Sequence, residues 1–317
     1  MTHSGTLQEI AASGFAFLAM TAIELAVSFR PHTHNIREKP MQSRKSTLIL
    51  LVSFFIGLSV LLYPAISSYW NSRTQSEVIV DYEAMLAMYK PEDYTPIFEA
   101  AEDYNRRLSQ IEEPFRNHEQ VEGYWETLDI SGTGMMGYVT VKKISQELPV
   151  YHGTSDSVLA FAAGHFQGSS LPVGGEGTHS VISAHRGLPT ATLFTHLDRL
   201  EIGDTFYFTI LDRTFTYEVD QIRIVEPHDV SLIEAEPGKD YCTLLTCTPY
   251  GINTQRLLVR GHQIDETMKR NIYIANEAYR VDSLIVMPIV ALPIIALLMI
   301  YVMFAPVKKE SLGEDLP

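Results

Sequence analysis

Cysteine is almost absent from this chain: two residues in 317, Cys242 and Cys247. Neither a CxxC pair nor an HxxxH spacing accompanies them, so a four-ligand zinc centre is excluded. Phosphate-cradling loops are missing as well, since no GxxxxGK[ST] and no GxGxxG following a strand occurs. No oxygen-ligand spacing supports a calcium loop. Positive charge is scarce, with 24 Lys and Arg against 38 Asp and Glu, a net charge of −14. That balance argues against a duplex-binding protein, which needs a basic face to displace counterions. No internal repeat or low-complexity segment stands out. The expectation is a protein without metal, cofactor or nucleic acid, with most of its acidic residues forming a solvated face.

Apolar residues, by contrast, are unevenly concentrated. Residues 47–66, TLILLVSFFIGLSVLLYPAI, carry no charge. At 1.5 Å rise per residue such a run spans roughly 30 Å, the thickness of a hydrocarbon core. Residues 284–304, LIVMPIVALPIIALLMIYVMF, form a second uncharged run, in which Pro288 and Pro293 introduce kinks that membrane spans tolerate. Arg44 and Lys45 precede the first run and Lys308 and Lys309 follow the second. The positive-inside rule therefore puts both ends, including the tail 305–317, in the cytoplasm and residues 67–283 outside. A multi-pass protein of the cell membrane with an extracellular acidic domain is expected. Residues 1–40 have two readings. Residues 11–29 form a weak third span containing Glu24, or the segment is an upstream extension and Met41-Gln-Ser-Arg-Lys-Ser begins a signal anchor. The second reading is favoured.

Between the spans the pattern changes once. Ile79, Tyr82, Met85, Leu86 and Tyr89 recur at helical spacing, Pro91 interrupts, and a second helix is expected over about 95–110. Residues 111–135 read as a loop containing Pro114, Gly123, Gly132 and Gly134, so 76–135 is a helical and loop segment. From 136 short strands take over: 138–141, 148–151, 179–184, 205–211, 214–225, 241–246 and 257–260, with a short helix at 157–166 and a tight turn at Asp212-Arg213. Many short strands suggest a closed or partly closed β-barrel over 136–264. Residues 265–283 then form a polar connector.

Both cysteines lie in CTLLTCTPYGINTQR, residues 242–256. An odd offset of five along a strand puts the thiols on opposite faces, with Cα atoms about 16 Å apart, too far for a disulfide. Cys242, inside the strand, reads as a small buried hydrophobe. Cys247 sits where the strand meets a turn. His185 ends another apolar strand in SAHRGLP, and Arg256 begins the strand after the cysteine loop. If these strands pair, a thiol, an imidazole and a guanidinium converge at one barrel edge. A thiol needs a proton-handling partner and a cation to act as a nucleophile near neutral pH, and arginine presents a permanently charged fork of donors to a developing oxyanion. His152, His165, His179 and His196 read as packing or hydrogen-bonding residues.

TLLTCTPYGINTQR resembles the TLxTC signature of the sortases, with the arginine at the family's spacing, and SAHRGLP resembles the segment carrying their histidine. MGYVTVKKI, LPVYHGT, GSSLPVGGEGTHSVISAHRGLP and LFTHLDRLEIGD match in order. The subgroup most similar is class C, the pilin-polymerising sortases of Gram-positive bacteria. The resemblance implies a mainly β fold, an eight-stranded barrel with short helices, and transpeptidation of LPXTG-like signals. It implies Cys247 as nucleophile on the Thr–Gly carbonyl, His185 as general acid and base, and Arg256 as orienter and oxyanion donor. The partners implied are pilin subunits carrying the signal and a nucleophilic lysine. A lid is implied too: Glu112-Glu113-Pro114-Phe115 stands where class C members carry Asp-Pro and an aromatic, with Phe115 covering the thiol and a carboxylate pairing with the arginine. Tyr250 and Asn253 are candidates for shaping the substrate groove. The rival expectations are a transpeptidase attaching proteins to peptidoglycan and a catalytically silent membrane scaffold.

Overall fold

The computed structural model describes residues 41–264, with side chains from Val52 onward. The expected second span at 284–304, the connector, the tail and the N-terminal 40 residues lie outside the described residues. The chain divides into two compact units, residues 1–57 and 58–317, and all contacts below belong to the second.

Helix α1, Met41–Leu86, is a 46-residue helix with Pro64 inside it. Its Val52–Leu86 part is long and apolar enough to cross a membrane. The apolar run and the amphipathic stretch expected around 76–89 are thus one helix. Val60, Leu61, Tyr63, Ile66, Tyr69 and Trp70 are exposed. Further along, α1 turns its apolar residues inward. Ile79 and Tyr82 are buried beside Met135, and the Tyr82 hydroxyl accepts from Leu211 N at 3.0 Å while donating to the Met136 carbonyl at 3.2 Å.

Helix α2, Pro91–Leu108, starts with proline at its first position, where the missing N–H costs nothing. The Asp93 carboxylate accepts from Lys90 N at 2.9 Å. Tyr94, Phe98, Ala101, Tyr104, Asn105 and Leu108 form its buried stripe, spaced at three, four and seven as an amphipathic helix requires. Asn105 fixes α2 to the barrel, donating to the Leu171 carbonyl at 3.0 Å and accepting from Leu171 N at 2.7 Å. The expected loop at 111–135 contains a further short helix, α3 (Pro114–Asn117), and a 3-10 turn at His118–Gln120.

Eight strands follow: β1 (Met135–Val141), β2 (Gln146–His152), β3 (Ala163–His165), β4 (Thr178–Ser183), β5 (Thr205–Ile210), β6 (Arg213–Val225), β7 (Asp240–Thr248) and β8 (Gln255–Ile264). They close in the order β1-β2-β3-β4-β7-β8-β6-β5, which leaves no exposed sheet edge. The pairings β2–β3 and β4–β7 are parallel and the others antiparallel. Two expectations are corrected. The helix foreseen at 157–166 is only one turn, α4 (Asp156–Leu159). Ala163–His165 instead pairs with β2 and β4 as β3. The tight turn falls at Leu211-Asp212, because Arg213 already pairs with Ile210 and Leu211 takes the positive φ of 52°.

The interior is built by alternation. Ile182 and Ala184, Cys242 and Leu244, and Leu257 and Val259 point inward and join Phe206, Phe208 and Tyr217 in the core. Neighbours of opposite parity, Val181, Leu245 and Leu258, form a separate apolar cluster with Ile233, Phe115 and Phe166 on the outer face. Strand β7 is therefore covered on both sides, which its sequence DYCTLLTCT allows because its outward threonine, Thr243, finds a partner. Thr243 Oγ1 lies 2.7 Å from His179 Nε2.

Candidate active site

Register brings the three candidate residues into one row. In the antiparallel β7–β8 pair, Cys247 stands opposite Arg256. In the parallel β4–β7 pair, Ser183 stands beside Leu245, and His185 lies two residues past Ser183 as Cys247 lies two past Leu245. Ala184 N donates to the Leu245 carbonyl at 3.1 Å and the Thr246 hydroxyl to the Ala184 carbonyl at 2.8 Å, which carries the alignment beyond the last ladder pair. Neighbouring strands lie about 5 Å apart. Cys247 and Arg256 thus face each other on the outer face of β7 and β8, and His185 follows two residues beyond the end of β4, on the other side of β7.

Cys247 is a free thiol, partly exposed, whereas Cys242 is fully buried in the core. The two lie on opposite faces of β7, as their spacing requires. Burial pushes the Cys242 thiol far up from its ordinary range, so that residue is chemically inert. The Arg256 guanidinium donates through Nη1 to the carbonyls of Asn253 at 3.3 Å and Gln255 at 3.1 Å. Its Nε and Nη2 have no hydrogen-bond partner among the described residues. Neutral carbonyls hold the fork without neutralising it, and that leaves donors available for an oxyanion. Asn253 adopts a left-handed φ of 60° to present its carbonyl. Tyr250 is exposed and lies over Gly187, where an added Cβ would stand 3.1 Å from the Tyr250 ring; this approach joins the loops after His185 and Cys247.

The Glu113–Phe115 segment crosses the same face. Phe115 lies 5.9 Å from Phe166, ring centre to ring centre, in the outer cluster with Leu245 and Leu258. Leu245 is two residues before Cys247, and Leu258 two after Arg256. The charge pair expected of this segment is not made. The Glu113 carboxylate accepts from Arg116 at 3.1 Å, exposed to solvent, and no carboxylate pairs with Arg256 among the described residues. Glu113 takes a left-handed φ of 51° at the start of α3, and this directs its side chain along its own helix. The segment rests instead on Gly168, where a Cβ would stand 2.7 Å from Phe115 Cα and from the Pro114 carbonyl. Sequence reasoning missed Gly168, since a glycine in a loop gives no sign of what lies against it.

The other barrel histidines are structural. His165 is fully buried between the Tyr124 hydroxyl at 3.0 Å and the Ser170 carbonyl at 2.9 Å. His179 bridges the Glu234 carbonyl at 2.9 Å and Thr243, pinning the β6–β7 connection that carries Ile233. His152 lies 2.8 Å from the carbonyls of Gly134 and Thr127. Burial lowers both His165 and His179 from 6.5 to about 4. The unfolded chain therefore binds protons that the folded one refuses, and stability falls as pH drops from about 6.5 toward 4. The slope reaches at most about 1.4 kcal/mol per pH unit for each histidine. Asp240, raised by burial, opposes this as one group against two. Thermal melts across that window are expected to show a falling Tm, with a shallower fall in His179→Gln.

Comparison with known proteins bears on the family and the fold. A family model described as the sortase domain matches residues 139–264. The crystal structure of sortase C1 from Streptococcus agalactiae is similar at 45% identity with a TM-score of 0.56, covering 60% of this chain and 98% of that one. A sortase C from Streptococcus pneumoniae is similar at 44% identity and a TM-score of 0.54, covering 60% and 97%. Sortase D of Bacillus subtilis is 31% identical over 131 residues, 40% of this chain. The chain spans 63% of the length of that curated relative and 52% of a sortase A from Streptococcus agalactiae. With a closed eight-stranded barrel and identities above 40% across nearly the whole of two sortase C chains, this chain belongs to the sortase family of cysteine transpeptidases, in its class C branch.

Proposed function

We propose that this protein is a membrane-tethered transpeptidase on the outer cell face that polymerises pilins, with Cys247 as nucleophile. The row His185–Cys247–Arg256 carries the reading. The Cys247 thiolate adds to the Thr–Gly carbonyl of an LPXTG-like signal, and Arg256 donates to the resulting oxyanion. As that tetrahedral species collapses, the C–N bond breaks and His185 protonates the departing glycine amine. A thioester remains. A lysine amine of the next subunit attacks it and His185 takes the proton. Expulsion of the thiolate leaves an isopeptide bond. Support for pilin as substrate comes from the similar Streptococcus pneumoniae sortase C, whose structure is described in terms of pilin substrate specificity. An outward-facing domain held by two spans fits the charge distribution around residues 47–66 and 284–304.

The test offers the full chain, in detergent micelles or liposomes, an LPXTG-type peptide together with either a pilin lysine or a peptidoglycan cross-bridge amine. Mass spectrometry is expected to find a thioester on Cys247 and isopeptide product with the lysine. Transfer only to the cross-bridge amine would replace pilin polymerisation by wall attachment. No thioester in a lid-opened variant would remove the enzymatic reading and leave the scaffold.

The segment Glu113-Pro114-Phe115 acts in this reading as a lid over the groove beside Cys247, held by apolar packing and by its seat on Gly168 rather than by a charge pair. Gly168→Ala puts a methyl against the lid backbone, and Phe115→Ala removes the anchoring ring. Each change is expected to weaken the hold on the lid by about 1 to 3 kcal/mol, and so to raise the rate of Cys247 alkylation by iodoacetamide by roughly 5- to 150-fold. An unchanged rate in both would mean that this segment does not gate the thiol.

A further inference from the structure

We infer that Arg186 is a positioning residue that clasps together the two segments carrying the thiol and the imidazole; this rests on the reading of Cys247 and His185 as the reacting pair. Arg186 follows His185 and Thr248 follows Cys247. Thr248, the last residue of β7, points by alternation to the face opposite Cys247, and Arg186 reaches it from the bend after β4. Arg186 Nη1 donates to Thr248 Oγ1 at 3.4 Å, and Nη2 to Asp198 Oδ2 at 2.6 Å. The guanidinium carbon lies 6.0 Å from the Tyr250 ring centre. The Arg186 side chain is 9% exposed, while its partner Asp198 is 48% exposed.

This arrangement is a poor device for stability alone. A buried guanidinium loses its hydration, and a half-solvated carboxylate with one long hydroxyl bond returns little of it. Arg186 Nε is buried with no hydrogen-bond partner among the described residues, which adds a desolvation cost. What the residue does supply is a connection where the sheet has none. The β4–β7 ladder ends at Ser183–Leu245, and the Ala184 hydrogen bonds with Leu245 and Thr246 are the last before the strands part. Beyond Ala184 no backbone hydrogen bond joins the two segments among the described residues. His185 and Cys247 lie beyond that point. The guanidinium reaches across to Thr248, and Asp198 on the 3-10 turn Leu197–Arg199 fixes its other branch. Phe194 N bonds the His185 carbonyl at 3.1 Å, so the same loop grips His185 from its far side.

Steady-state kinetics on the full chain with an LPXTG-type peptide tests this. Arg186→Gln is expected to lower kcat by about 10- to 100-fold, the cost of a displacement near 1 Å, with KM within about twofold and thermal stability retained. Arg186→Lys, which keeps the charge beside Asp198, is expected to recover part of kcat. Thr248→Val removes only the hydroxyl and carries the test if Arg186→Gln misfolds; it is expected to lower kcat, and to add nothing further in the double variant because both sever one hydrogen bond. Wild-type kcat in folded Arg186→Gln or in Thr248→Val, or fully additive losses in the double variant, would overturn the clasp. Failure of the wild-type chain to form a Cys247 thioester would instead overturn the underlying reading of the site.

Discussion

Replacing Cys247 by alanine is expected to abolish thioester formation and high-molecular-weight pilin polymers, with a loss in turnover on the order of 10⁴-fold or more. No second nucleophile is available to substitute. Cys242 is the only other thiol in the sequence, and it is fully buried on the opposite face of its strand. Cys247→Ser is expected to fare little better, since a hydroxyl is far harder to ionise than a thiol near neutral pH. Cys242→Ala should retain activity and lose stability, by about 1 to 2 kcal/mol for a small buried side chain. Mass spectrometry of the trapped enzyme and polymer ladders in cells lacking the wild-type copy check both. Ladders persisting in Cys247→Ala, with no second such enzyme present, would sink the assignment.

Arg256→Ala is expected to lower kcat by about 10²- to 10³-fold, the usual cost of removing an oxyanion donor. KM should change much less, because the charge being stabilised develops only in the tetrahedral species. Arg256→Lys should recover only a small part. Lysine keeps the charge but not the planar fork, and one branch of that fork is occupied by the Asn253 and Gln255 carbonyls. Folding should survive either change, since Arg256 is partly exposed and makes no ion pair among the described residues. Equal losses in kcat and in Tm would make Arg256 a structural residue instead.

The features behind these expectations differ in how legible they are in the sequence. The strands read well because alternation in segments such as TFYFTI and TFTYEV reports a half-buried surface directly. The parity argument that separates Cys242 from Cys247 needs nothing but the strand period. Segment Ala163–His165 does not read well. A three-residue strand of Ala, Gly and His carries no β signal, and its pairing partners, β2 and β4, impose it. The lid illustrates a different limit. Its residues stand out in the sequence, but the expected carboxylate–arginine pair depends on where Glu113 points, and a left-handed backbone at that residue sends it to Arg116.

Sequence alone determined the uncharged run at 47–66, the acidic balance of the chain and the barrel class, and it singled out Cys247, His185 and Arg256 as candidates. All of these follow from local period, charge and spacing. Tertiary structure decided which distant segments meet. His185 lies 62 positions before Cys247 in the chain, and only the parallel register of β4 with β7 puts them side by side. The seat of the lid on Gly168 and the reach of Arg186 to Thr248 and Asp198 leave no trace in local pattern. A glycine's neighbours and a buried guanidinium's partners are fixed by how the barrel closes, and closure is a property of all eight strands together.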